Sequence, residues 1–336
     1  MTASEPSPVS DGSAELPVPP LMPSAPLDET KALTRVCFGS CYAPQFKQSH
    51  VWQHILALKP DAFLYLGDNV YQRDENGRPE LLELREAYSL LAAEADFAAL
   101  RAATPVLPVW DDHDYGMNNA GADFPARLQT EALFKQVWAV PLDDPRRHRE
   151  GVYYSRTVGP TGKRTQLILL DLHYFLTKKS LLGEIQWRWL EQTFAESADL
   201  RIFASPIPVL CDADRLDGWH KYPAERERLF KLIDQTNGVV IVSGDSHVGA
   251  HYRRSEGVAY PLLELTASSL NFPWREDLHI PPGPPDSARI GPVFWESNFG
   301  AVDIDWDKGE ISLALYDDIG RLVHKERIAL AALQGR

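Results

Sequence analysis

Three apolar runs in this chain each end abruptly in acid. Ala62–Leu66 opens into Gly67-Asp68-Asn69, Pro105–Val109 into Trp110-Asp111-Asp112-His113-Asp114, and Val239–Val242 into Ser243-Gly244-Asp245-Ser246-His247. Short runs rich in Val, Leu and Phe that stop at Gly or Asp read as buried strands. Clustering that many ionisable groups at strand ends costs desolvation and mutual repulsion unless cations or hydrogen-bond partners offset it. The pattern therefore demands that the three ends meet along one sheet edge, and it points to a metal site there.

The rest of the chain supplies the frame. From Ala32 strands alternate with helices: strands over Thr34–Ser40, Val152–Val158, Thr165–Asp171 and Arg201–Ala204, helices over His50–Leu58, Glu80–Leu100, Arg127–Ala139, Glu184–Ala195 and Ala224–Thr236. After Val239–Ser243 the helices stop, and Val258–Thr266, Asn298–Asp305, Glu310–Tyr316 and Arg321–Ile328 read as a meander of strands with hairpin turns at Asp307-Lys308-Gly309 and Asp318-Ile319-Gly320. A βα-alternating first part followed by a meander predicts an α/β fold of four layers, αββα, with two mixed sheets flanked by helices. The expected division is a disordered Pro/Ser-rich tail over 1–30 and one catalytic domain over 31–336. Within that domain Asn271–Gly291, with its Pro281-Pro282-Gly283-Pro284-Pro285 core, is expected to be a long stiff loop rimming the site.

Composition narrows the partners. A net charge of −13 disfavours general affinity for nucleic acid or an anionic membrane, while bound cations would still admit a phosphate substrate. No apolar stretch approaches the roughly 20 residues of a membrane span. Met1–Thr30 has neither a basic n-region nor an apolar h-region, so the default expectation is a cytoplasmic protein. Cys37, Cys41 and Cys211 are too few for a disulfide framework. Cys37 and Cys211 read as buried small hydrophobes, whereas Cys41 stands at a strand end in Phe38-Gly39-Ser40-Cys41-Tyr42. The sequence carries no signal for oligomeric state.

Gly67-Asp68-Asn69-Val70-Tyr71 and Asp111-Asp112-His113-Asp114, together with the Cys41 and Asp245–His247 segments, resemble the alkaline phosphatase D (PhoD-like) family of metallophosphatases. Leu170-Asp171-Leu172-His173-Tyr174, Leu182–Leu190, Lys221–Leu229 and Glu264–Asn271 extend the resemblance along the chain. It implies hydrolysis of phosphate esters by metal-activated water at a dinuclear centre. Asp68 would bridge the metals. Cys41, Tyr71 and His247 would hold a ferric ion, and Asp112 and Asp245 a second cation, calcium in this family. Asn118 or Asn119 would complete the second site, with Asn119 also placed to touch substrate. His113 would serve the leaving group. The donor types agree on their own terms: thiolate and phenolate suit a trivalent or borderline ion, and carboxylate and amide oxygens a hard divalent one, calcium or another.

The chain departs from the family pattern in two places. Phe203-Ala204-Ser205-Pro206-Ile207-Pro208 stands where many metallophosphatases carry a metal-binding histidine, and His173 where relatives often have an arginine. His173 then either binds substrate phosphate in the arginine's stead or is a satisfied structural histidine. The family is often exported, and its usual secretion signal is missing here. A phosphodiesterase or phospholipase D-like activity on the same centre, and a catalytically silent metal-binding scaffold, are the alternative readings.

Overall fold

Apolar runs without alternation suit strands covered on both faces, and the central strands of this protein are of that kind. The computed structural model describes residues 16–45, 49–73, 77–213, 217–274 and 286–335. Its strands in chain order are β1 (Arg35–Gly39), β2 (Ala62–Leu66), β3 (Val106–Val109), β4 (Tyr154–Val158), β5 (Thr165–Leu169), β6 (Leu200–Ser205) and β7 (Val239–Ser243). They continue with β8 (Gly249–Arg254), β9 (Leu262–Ala267), β10 (Arg289–Phe294), β11 (Asn298–Asp305), β12 (Glu310–Asp317) and β13 (Leu322–Ala329). One sheet runs β13-β12-β11-β1-β2-β3 and the other β10-β8-β9-β7-β6-β5-β4. In the first, β1, β2 and β3 are parallel; in the second, β5, β6, β7 and β9 are. Every residue of β2, β5, β6, β7 and β9 is buried. The edge strand β13 instead carries His324, Lys325, Glu326 and Arg327, charge that discourages pairing with another chain.

Helices cover both outer faces, as the αββα reading requires. Against the first sheet lie α1 (Val51–Ala57), α2 (Leu82–Ala93), α3 (Ala95–Ala103) and α5 (Arg127–Val137), with the one-turn α4 (Asp112–Tyr115) between the last two. Trp52 of α1 packs edge-on to Phe63 and Tyr65 of β2, and Phe97 of α3 joins the same aromatic cluster. On the second sheet lie α6 (Gly183–Phe194) and α7 (Pro223–Asp234), where Phe194 meets Phe203 of β6. Across the sandwich, buried His251 of β8 bonds the Leu313 carbonyl of β12 at 3.0 Å.

Four local expectations change. The single helix over Glu80–Leu100 is two, because Glu94 is extended (φ −65°, ψ 109°) and lets α3 swing Phe97 onto Trp52. Strand β8 adds an element that the strand ranges expected above do not include. Strand β10 begins inside the segment read as loop; Gly291 and Pro292 hide it, and it is an exposed sheet-edge strand with a register irregularity, where proline is tolerated. The core of that segment lies outside the described residues. Finally, residues 16–30 lie against the domain: Met22 is buried with its N–H on the Val137 carbonyl (2.7 Å), and Arg101 donates to the Pro23 carbonyl (2.9 Å). The first half of the expected tail is outside the described residues.

Candidate metal centre

Parallel strands direct all their C-terminal ends to one edge, and in open α/β sheets ligands gather there. Cys41 follows β1, Asp68 follows β2, Asp111–Asp114 follow β3, and Asp245 and His247 follow β7 of the facing sheet. Gly67 (φ +93°) makes the approach possible, since a Cβ there would come 2.4 Å from that of Asp111. Cys41, Asp68, Asp245 and His247 all adopt positive φ, between 47° and 65°. Non-glycine residues rarely do so, and each costs on the order of 1–3 kcal/mol that the surroundings must impose.

The side chains converge on Asp68. Its Oδ2 accepts from Tyr71 OH at 2.5 Å and from Cys41 Sγ at 3.6 Å, and Tyr71 OH lies 3.5 Å from His247 Nε2. Its Oδ1 accepts from the His113 N–H at 3.3 Å. Donor atoms of Cys41, Asp68 and His247 lie within 4.8 Å of one another, and so do those of Asp68, Asp112 and His113. Asp68 thus belongs to both groups. His247 is aimed by its Nδ1, 2.5 Å from the Phe272 carbonyl, and Asp112 accepts from the Asn119 N–H at 2.8 Å.

The remaining expected residues fall out as follows. The carboxylate of Asp245 stands outside the second group, yet Asp112 and Asp68 are the strongest charges acting on it. Asn118 and Asn119 are exposed; Asn119 contributes its backbone N–H, not its amide. His173 is buried, with Nε2 2.7 Å from Asp111 Oδ1 and Nδ1 2.8 Å from the Ala120 carbonyl, contacts that favour the second of its two readings, a satisfied structural histidine acting as an inter-sheet latch. Trp110 Nε1 to Asp171 Oδ1 (2.7 Å) is a second such latch. Sequence reasoning left Asp114 and Asn69 without roles. Asp114 accepts from the Asp68 and Asp111 N–H groups and from Asn69, whose amide also donates to Val109 O at 2.7 Å. The signal for this was the fourth residue of Asp-Asp-His-Asp, too short a motif to tell a brace from a ligand.

His173→Ala is expected to leave the buried Asp111 carboxyl without this partner and cost about 1–3 kcal/mol of stability. A denaturant titration checks this. An unchanged midpoint with a raised KM would restore the phosphate-binding role.

Electrostatics without a cation are unfavourable. Burial first, and Asp112 next, push Asp68 up to about 8. Burial and neighbouring carboxylates push Asp111, Asp114 and Asp245 well above the carboxylate range, and burial with Asp68 raises Cys41 and Tyr71. Burial lowers His247. A raised carboxyl pKa stabilises the fold below the unfolded value near 4 and loses that contribution as pH rises towards the folded value. Metal-free protein is therefore expected to lose stability between pH 6.5 and 8. That window lies above the range where His251, pulled by burial to about 4, acts with the opposite sign. Thermal midpoints in chelator should fall across that window and stay level with cations bound. A metal-free midpoint that rises would contradict it.

The sequence profile of a family described as PhoD-like phosphatase matches residues 36–136 and 165–309. The chain is 23% identical to alkaline phosphatase D of Bacillus subtilis (strain 168), over 62% of this chain and 45% of that protein; it thus spans less than half the length of this relative. A solved structure described as that of PhoD superposes with a TM-score of 0.67 at 16% identity, covering 91% of this chain and 69% of the other. A purple acid phosphatase from yellow lupin seeds superposes at 0.58 and 12% identity, covering 90% and 55%. At such identities these two likenesses establish the metallophosphatase-type sandwich.

Proposed function

The chain belongs to the PhoD-like phosphatase family, and from that premise we propose that it hydrolyses phosphate esters at a two-cation centre built on Asp68. The observation that carries this reading is Asp68 itself, one buried carboxylate shared by two groups of ligand-type side chains. The donor sets fit such cations. Cys41, Tyr71 and His247 around Asp68 suit Fe(III), whereas Asp68 and Asp112 on the other side, with Asp245 near, suit calcium or another hard divalent ion. When bound, the cations would supply Lewis-acid polarisation of the phosphoryl group and activation of water.

The chain's own residues do the rest. The strained loops hold Asp68 and His247 before any ligand arrives, so orientation costs little at the moment of reaction. Asp114 and Asn69 fix the Asp68 backbone from behind. The His113 side chain keeps 27% of its surface exposed, and its ring lies 4.5 Å from that of Tyr71. In this reading it gives a proton to a departing ester oxygen. The partner this reading calls for is a small-molecule phosphate ester. Among the described residues no helix is long and apolar enough to cross a membrane.

Turnover of a chromogenic monoester, of its diester, or of neither tests the reading. Hydrolysis that a chelator abolishes is expected with at least one. Diester turnover alone would favour the phosphodiesterase alternative, and neither, with cations bound, the silent scaffold.

A further inference from the structure

Five rings stand in an unbroken row across the candidate site. His113 and Tyr71 are 4.5 Å apart, Tyr71 and Phe272 4.9 Å, Phe272 and His247 5.1 Å, and His247 and Trp274 5.7 Å. Three of them have metal or proton chemistry to perform; Phe272 and Trp274 have none. Neither is explained by the main core. Phe272 packs on the small separate cluster of Cys41, Ala43 and Tyr71, and both Phe272 and Trp274 are only half-buried. Their backbone is nonetheless held in place. Asn271 grips Ala43 through both ends of its amide (2.7 and 3.1 Å), the Phe272 carbonyl takes His247 Nδ1, and the Trp274 N–H donates to the His247 carbonyl at 2.9 Å.

The two halves of the site therefore differ in chemistry. The Asp68 and Asp112 side is polar and, in the reading above, is taken up by the cations and the phosphoryl group. The Phe272–Trp274 side is apolar, and aromatic faces and edges favour another ring at 4.5–7 Å. We propose that Phe272 and Trp274 form a shelf for an uncharged planar arm of the ester, and so select aryl phosphate esters over short alkyl ones. The proposal rests on the phosphoesterase reading above.

Phenylphosphonate and methylphosphonate, which carry the same anionic head and cannot be turned over as esters, separate the two claims. With the metal-loaded chain in a calorimeter, phenylphosphonate is expected to bind about tenfold more tightly than methylphosphonate. Trp274→Ala should bring the two affinities close to parity at unchanged metal content, and Trp274→Phe should keep most of the preference. Equal affinities in the unmodified chain, or a preference that survives Trp274→Ala and Phe272→Ala, would overturn the shelf while methylphosphonate binding still upheld the phosphoesterase reading. Failure of both phosphonates to bind would overturn both.

Discussion

Asp68→Asn should lower metal affinity at both halves of the centre by more than about 100-fold, the upper range for losing even an outer-shell partner of a metal ligand, and should remove activity with it. The substitution is nearly isosteric. Asparagine tolerates the left-handed backbone that Asp68 occupies (φ 47°), and its carbonyl oxygen can still accept from Tyr71. The fold is therefore expected to survive. What disappears is the negative charge that two cations would share, and a neutral amide cannot replace it. Folding without bound metal should even become easier at pH 8, since the carboxyl that burial and Asp112 push up to about 8 is gone. Metal titration of the folded variant checks this, and normal affinity at either half would show that Asp68 is not shared.

His113→Ala should behave differently, with kcat falling about 10²–10⁴-fold, the usual worth of positioned proton transfer, at near-normal metal content. His113 reaches the second ligand group, with Nε2 4.0 Å from Asp112 Oδ1, so the structure permits either a ligand or a proton donor. Its exposure and its tilted packing against the Tyr71 ring favour the donor. The variant separates the two: kcat lost with metals retained means proton transfer. Metal lost in step with kcat would make His113 a ligand.

Much of this was legible in the sequence because strand ends that carry acid obey one simple constraint. The C-termini of β2, β3 and β7 had to meet, and Asp68, Asp112 and His247 are found there together with Cys41 from the end of β1. The meander at β11–β13 followed from its turns. What was not legible depends on contacts between distant segments. His173 stood open between substrate group and structural histidine because its partners, Asp111 and Ala120, follow β3 of the other sheet. The break at Glu94 follows no local signal; it is set by Phe97 finding Trp52. Residues 16–30 have a tail's composition, yet Met22 and Ala25 bond main-chain carbonyls of Val137 and Arg101. The positive φ angles of four non-glycine site residues likewise leave no mark on the sequence, since the surrounding sandwich enforces them.

The central claim is that one carboxylate organises two cations, and counting metal tests it most directly. Elemental analysis of the chain purified without chelator or added metal should give two cations per chain, one of them a transition ion. Full activity with a single cation per chain, or with none, would contradict the account.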